Sequence, residues 1–339
     1  MNVPPPGRGA TILGCAGTEL SRDEAAFFAD ADPVGFILFA RNCENAAQIR
    51  ALCDSLRDAV SRDAPILIDQ EGGRVQRLRP PLATEWRPPR EDAARAGANA
   101  ARALFLRYRI IAAELLALGI DANCAPLADI AGPATHPFLR NRCYGENLAD
   151  VVARARAVAG GLMEGGVLPV LKHIPGHGRG AADSHKELPR IDAPLEELRA
   201  TDFAAFAGLS DLPLGMTAHV TYSALDQAPA TTSAPAITLI RRELGFDGLL
   251  MTDDISMQAL SGDVAQRATA AIAAGCDVVL HCNGDLAEMA AVAAAAGALS
   301  EAGTRRATAA LASRATPDPV DIAALHAQFL ALVGDGADA

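Results

Sequence analysis

The stretch LKHIPGHGRGAADSHKELP, Leu171 to Pro189, decides how the rest of the chain is read. The apolar run Val167-Leu168-Pro169-Val170-Leu171 feeds into it as a strand feeds into a loop. Gly176, Gly178 and Gly180 make the segment behind that strand too mobile for a helix and too irregular for a sheet. Loops that gather titratable side chains behind a strand are where enzymes keep their chemistry. Here Asp183-Ser184-His185 sets a carboxylate two residues from an imidazole, able to orient the ring and raise its pKa. That is a general acid/base unit in outline.

Working outward, short aliphatic runs recur at Ala10–Cys15, Gly35–Ala40, Ile66–Gln70, Asp121–Ile130, Leu168–His173, Leu212–His219, Gly248–Asp254 and Val278–Asn283. Stretches with helical spacing separate them: 45–61, 91–118, 147–164, 194–207, 236–244, 263–274 and 285–299. Eight strands alternating with helices predict an α/β fold, a single-domain (β/α)₈ TIM-type barrel over residues 1–339. Flanking helices are expected at about 303–335. A doubly wound open sheet is the competing arrangement. The barrel gains weight because polar residues recur at strand C-terminal ends: Asp69-Gln70-Glu71, Lys172-His173, His219 and Asp253-Asp254. In a barrel those ends open on one face, where barrel enzymes place their sites.

Composition narrows the class. A formal charge of −11, from 30 basic and 41 acidic residues without a basic block, argues against a nucleic-acid partner. No apolar run approaches the roughly 20 residues of a membrane span, and the N-terminus lacks a signal-peptide pattern. Seven scattered cysteines without a CxxC pair fit reduced structural thiols, so a cytoplasmic location is expected.

Asp253 follows the buried-looking run Gly248–Thr252 and could attack an electrophilic carbon or stabilise positive charge there; the plain alternative is that Asp253 or Asp254 caps the next helix. Lys172 needs a carboxylate or ligand hydroxyl, and a structural ion pair would also serve. Adjacent strand residues face opposite ways, yet at a strand's end both Lys172 and His173 can reach a site. Asp69 to Arg77, DQEGGRVQR, joins an acid, a Gly-Gly turn and two arginines, a set suited to gripping vicinal hydroxyls; Arg142 could also reach the mouth. His173 and His177 have metal-ligand spacing, but Pro175 and Gly176 interrupt the helix such a site requires. His136, His281 and His326 read as structural or surface residues.

Together, IDQEGGRVQRL (68–78), APLADI (125–130), the 171–189 stretch, MTAHVTY (216–222) and LGFDGLLMTDDISM (244–257) resemble glycoside hydrolase family 3. ILFARNCEN (37–45) and AGCDVVLHCN (274–283) extend the match. The DSH after KHxPGHG is similar to the branch of single-domain bacterial β-N-acetylhexosaminidases. The resemblance implies a barrel that removes terminal β-linked N-acetylglucosamine with retention, from anhydro-muramyl peptides in cell-wall recycling. It implies Asp253 as nucleophile, His185 paired with Asp183 as acid/base, and Asp69, Arg77, Arg142, Lys172 and His173 as sugar-holding groups. It implies no metal and no organic cofactor; the partner is an amino-sugar or muropeptide substrate, and the oligomeric state is not legible. Cys143-Tyr144 stand where Ser-Phe is common in the family, and Arg179 where an acid is frequent. A β-glucosidase or broader exo-glycosidase of the same family, a metal-dependent hydrolase using His173, His177 and Asp253, and a sugar-binding barrel without catalysis are the alternatives.

Overall fold

A computed structural model of the chain describes residues 5–181 and 188–334. Eight strands form one parallel sheet: β1 (Gly9–Gly14), β2 (Pro33–Leu38), β3 (Ile66–Ile68), β4 (Ala122–Asn123), β5 (Leu168–Ile174), β6 (Leu214–Thr217), β7 (Leu249–Met251) and β8 (Val279–His281). Each pairs with its successor from β1 to β7; β8 pairs with β1, and a parallel bridge from Met251 to Val278 closes the ring between β7 and β8. The expected barrel is what forms, and the open sheet is excluded by that closure. Strands buried on both faces explain why they read as continuous apolar runs rather than alternating ones.

Alternate strand residues split between two cores. Ile12, Leu67, Val170, Leu214, Leu249, Met251 and Leu280 fill the barrel interior. Ala307, Ala310 and Leu311, from the helix Glu301–Ala312, join that interior cluster. Phe36, Leu38, Ile66, Ile68, Leu171 and Leu250 pack outward against the helices.

Local chemistry sets most boundaries. Asn45, Asn147 and Asp263 cap the helices Ala46–Ala59, Leu148–Glu164 and Val264–Ala274, each side chain accepting a first-turn N–H. The expected helix over 91–118 is two helices, Pro89–Ala96 and Ala100–Leu116, parted at Gly97, whose φ is 54°. The 194–207 segment likewise divides at Thr201. The expected strand over 121–130 shrinks to Ala122–Asn123 because Pro126 has no N–H for the ladder, although its carbonyl still accepts from Lys172 N.

The helix Ile322–Val333 packs on the 89–96 and 100–116 helices. Its His326 stacks on Trp86 at 5.5 Å between ring centres, and Phe329 meets the same indole edge-on at 5.3 Å. The Trp86 carbonyl accepts from Gly73 N at 2.8 Å, so this clasp touches the hairpin behind β3.

Candidate active site

A cavity of about 350 Å³ opens at the C-terminal ends of the strands. Its wall includes Asp69, Arg77, Arg142, Lys172, His173 and Asp253, six of the eight residues that the sequence singles out. Asp183 and His185 lie outside the described residues.

On the β3 side, a small antiparallel hairpin, Gln70–Gly72 with Val75–Gln76, carries the DQEGGR sequence. Gly72 has φ 106°, and a side chain there would run into the Arg107 guanidinium, so only glycine fits. Arg107, itself buried, pairs with Asp92 at 2.6 Å and donates to the Glu71 carbonyl. The hairpin is thereby fixed from behind.

Its carboxylates meet three cations. Asp69 accepts from Lys172 Nζ at 3.0 Å and from Arg77 at 2.8 Å. Glu71, fully buried, binds Lys172 Nζ at 2.6 Å and takes Arg142 in a two-pronged grip at 2.9 and 2.8 Å. Burial opposes charge on both acids, but Lys172 with Arg77, or Arg142 with Lys172, more than compensates, holding each below the usual carboxylate range. The same carboxylates, against burial, raise Lys172 and keep it an ammonium. Glu71 is the hub that sequence reasoning did not assign, although it sits inside the quoted motif. Lys172 and His173 both line the cavity, across a cis peptide bond.

Asp129, from APLADI, is a second unassigned group. One oxygen lies 2.8 Å from His173 Nδ1 and the other accepts from His177 N at 2.6 Å. It fixes the ring orientation of His173 and the start of the 174–181 segment. Burial pushes His177 down to about 4, helped by the neighbouring His173, so its ring is neutral; Nδ1 is buried without a partner among the described residues. The two rings meet at 5.8 Å, yet among the described residues no group of three or more His, Cys, Asp or Glu is arranged to hold a metal ion.

Beside Asp254, which also lines the cavity and has only uncharged donors among the described residues, Asp253 sits just past β7. It accepts the N–H of Asp254 at 2.8 Å, and among the described residues no cation stands within ion-pair distance of it. Burial opposes its charge, while His219, His173, the Asp254 N–H and Lys172 favour it, leaving it below the ordinary range. His219 is itself pushed down by burial and neutral; its Nε2–H donates to the Asp254 carbonyl at 3.0 Å, so Lys172 is the permanent charge in that set. The helix-cap alternative fails for both aspartates. Asp263 caps the next helix, and Asp254 instead accepts from Ser256 and from Cys282 N.

The arrangement is an ionised carboxylate without a counterion among the described residues, facing a pocket whose opposite wall holds fixed cations and acceptors. Such a wall grips hydroxyls, and such a carboxylate can attack, or stabilise, an electron-poor carbon. Apolar side chains also line the pocket, among them Phe39, Phe138, Met216 and Met257. Burial pushes the cysteine thiols up, Cys15, Cys53 and Cys276 to about 12, so they are inert packing groups.

A parallel barrel with acids and bases gathered at its C-terminal rim has the layout of a barrel enzyme. Residues 11–312 match the family described as glycosyl hydrolase family 3 N terminal domain. The chain is 39% identical over 283 residues to a protein named beta-hexosaminidase from Alkalilimnicola ehrlichii, covering 81% of each. It is 37% identical over 318 residues to one from Methylococcus capsulatus, covering 91% of this chain and 92% of that one. Among solved structures, NagZ from Neisseria gonorrhoeae in complex with N-trifluoroacetyl-D-glucosamine superposes with a TM-score of 0.83 at 29% identity, over 98% and 97% of the two chains. The chain belongs to glycosyl hydrolase family 3 and is a glycoside hydrolase. No helix among the described residues is long and apolar enough to cross a membrane.

Proposed function

We propose that this chain is a retaining exo-β-N-acetylglucosaminidase and that the whole of it serves as one catalytic domain. The observation that carries the reading is the ionised Asp253, without a cation partner among the described residues, facing the cation-and-acid wall of a cavity of about 350 Å³. That volume lies near the low end of the roughly 300–1,000 Å³ of small-molecule sites, suiting one terminal sugar rather than a run of them. Relatives named beta-hexosaminidase supply the amino-sugar specificity.

Asp253 attacks the anomeric carbon as the glycosidic bond breaks, forming a glycosyl ester. His185, its charge favoured by Asp183, gives its proton to the departing oxygen. The neutral imidazole then takes a proton from water, whose oxygen displaces Asp253 and regenerates both groups. Imidazole titrates near neutrality, so a single group serves both steps. Asp69, Arg77, Arg142, Lys172 and His173 hold the sugar's hydroxyls. The substrates are glycosides of anhydro-muramyl peptides met in the cytoplasm during wall recycling, a reading supported by the family branch and by seven unpaired cysteines.

Proton NMR of 4-nitrophenyl N-acetyl-β-glucosaminide hydrolysis tests this. The β-anomer of the free sugar appears first; first release of the α-anomer rejects the covalent mechanism, and faster turnover of the β-glucoside rejects the specificity. His185→Ala should lose less on this good leaving group than on a disaccharide, and equal losses remove the acid role.

A further inference from the structure

The turn that carries Asp253 is fastened unevenly to its two neighbouring strands. Toward β8, Thr252 N donates to the Val278 carbonyl at 3.1 Å and Ile255 N to the Leu280 carbonyl at 2.9 Å. Thr252 Oγ1 accepts from Leu280 N at 3.0 Å, and the Asp254 carboxylate accepts from Cys282 N at 3.2 Å. From the β6 side, one imidazole among the described residues reaches the turn: His219 Nε2 lies 3.0 Å from the Asp254 carbonyl. That carbonyl also accepts from Met257 N at 3.1 Å. Asp254 in turn gives its own N–H to the Asp253 carboxylate at 2.8 Å.

His219 follows β6, is buried, and is not among the side chains that line the cavity. A carbonyl only accepts, so Nε2 carries the ring proton. Burial outweighs the pull of Asp253 and Asp254 and keeps the ring neutral, which leaves Nδ1 as an acceptor. Thr231 Oγ1 stands 2.7 Å from Nδ1 and supplies the donor; the Ala218 carbonyl, the other acceptor near that hydroxyl, is farther at 3.2 Å. Thr217 Oγ1 lies 2.8 Å behind and donates to Thr231. Thr231 belongs to the turn Ala230–Thr232, which is pinned by Ala230 N on the Val220 carbonyl at 2.8 Å. The next residue, Ser233, donates to Asp226 at 2.6 Å. Thr217, Thr231 and His219 thus form a one-way series of donors that starts on β6 and ends on the backbone of Asp254.

We propose that His219, set by Thr231, is a positioning residue that holds the Asp253 carboxylate in line for attack by fixing the Asp254 backbone beside it. This rests on Asp253 as nucleophile in the reading above and adds the device that aims it. The walls that grip the sugar come from the hairpin behind β3, from Arg142 and from the end of β5, so loss of the device acts on the reaction and not on binding.

The test is labelling with a 5-fluoro-N-acetylglucosaminyl fluoride: Asp253 bonds to the anomeric carbon as fluoride departs, and the ester hydrolyses slowly. Fluoride leaves with little protonation, so the labelling rate reads the attack and not the work of His185. His219→Ala should lower that rate, and kcat on the nitrophenyl glycoside, about a hundredfold, the cost of a misplaced reacting group. KM should stay within about twofold. His219→Gln, whose amide N–H reaches the same carbonyl, should bring both rates back to within about tenfold of wild type. Thr231→Val keeps the side chain's shape without its hydroxyl and should cost about tenfold, the weight of one hydrogen bond. It decides the matter if His219→Ala does not fold. Unchanged labelling with only a lower urea midpoint, a rise in KM in place of the fall in kcat, or a Gln variant as slow as the Ala one overturns the proposal. Wild-type label on a residue other than Asp253 defeats the nucleophile reading itself, and this proposal with it.

Discussion

The two ends of the barrel both bury carboxylates at strand termini, and they use them differently. At the N-terminal end, Asp277 precedes β8. One of its oxygens accepts from Leu250 N and Arg241, the other from Arg306. Asp121, before β4, is similarly occupied by Ile66 N, Arg57 and Arg314. Those oxygens are fully engaged in backbone and arginine contacts. At the C-terminal end, Asp69 and Glu71 are paired, but Asp253 keeps a single backbone donor among the described residues. The contrast teaches that burial and charge are common to both ends, and that what separates Asp253 is how few donors meet it among the described residues.

The most damaging test of that contrast is Asp253→Asn. It should lower kcat by at least about 10⁴-fold, a rise of about 5.5 kcal/mol in the barrier, with the urea midpoint unchanged or raised. Substantial residual turnover, or a large drop in midpoint, would erase the distinction between the ends. Next comes the converse, Asp277→Ala, expected to cost about 3 kcal/mol of stability by stranding Arg241 and Arg306, while kcat of the folded fraction holds. A loss of kcat without loss of stability would refute the structural assignment of that end.

Glu71→Gln lies between the two. It keeps shape but leaves Lys172 and Arg142 short of one negative charge, so kcat/KM should fall about tenfold to a hundredfold, or roughly 1.4–2.8 kcal/mol. Stability should fall as well, and an effect on only one of the two would show that the hub serves a single purpose.

The mildest effect is with pH. His177 is held at about 4 in the fold by burial, against about 6.5 for an unfolded histidine. The unfolded chain therefore takes up a proton that the folded chain refuses as pH drops from about 6.5 to about 4, and stability falls by up to about 1.4 kcal/mol per pH unit. His177→Gln should flatten that slope in denaturation series across the window. Below it the sign comes from the acids. Asp69, Glu71, Asp129 and Asp253 are depressed, so their contribution is complete above about pH 4 and drains away as pH falls through their folded values.

The strands were legible because each is an apolar run bounded by polar termini, and because a helix-spaced stretch succeeds nearly all of them. The helix Arg22–Ala31 escaped, although Ser21-Arg22-Asp23-Glu24 is a capping box that could have revealed it. Asp253, Lys172, His173, Asp69, Arg77 and Arg142 were legible as polar residues behind strands, and one cavity collects them. Their partners were not. Glu71 meets Arg142 across 71 residues and Asp69 meets Lys172 across 103, and no local pattern encodes which acid takes which base. Asp129 was hidden likewise, since its task appears only when β5 lies beside the segment after β4.

The clasp of Trp86 by His326 and Phe329 ties the helix Ile322–Val333 to the hairpin that carries Glu71, and so, on the function proposed above, to substrate grip. Trp86 steadies Gly73, and Gly73 belongs to the turn that presents Glu71. A chimera that exchanged the last helix between two such barrels would therefore inherit more than a new tail. It would retune substrate grip from the side of the molecule remote from the substituted residues, a route by which related sequences could diverge in affinity with every pocket side chain unchanged.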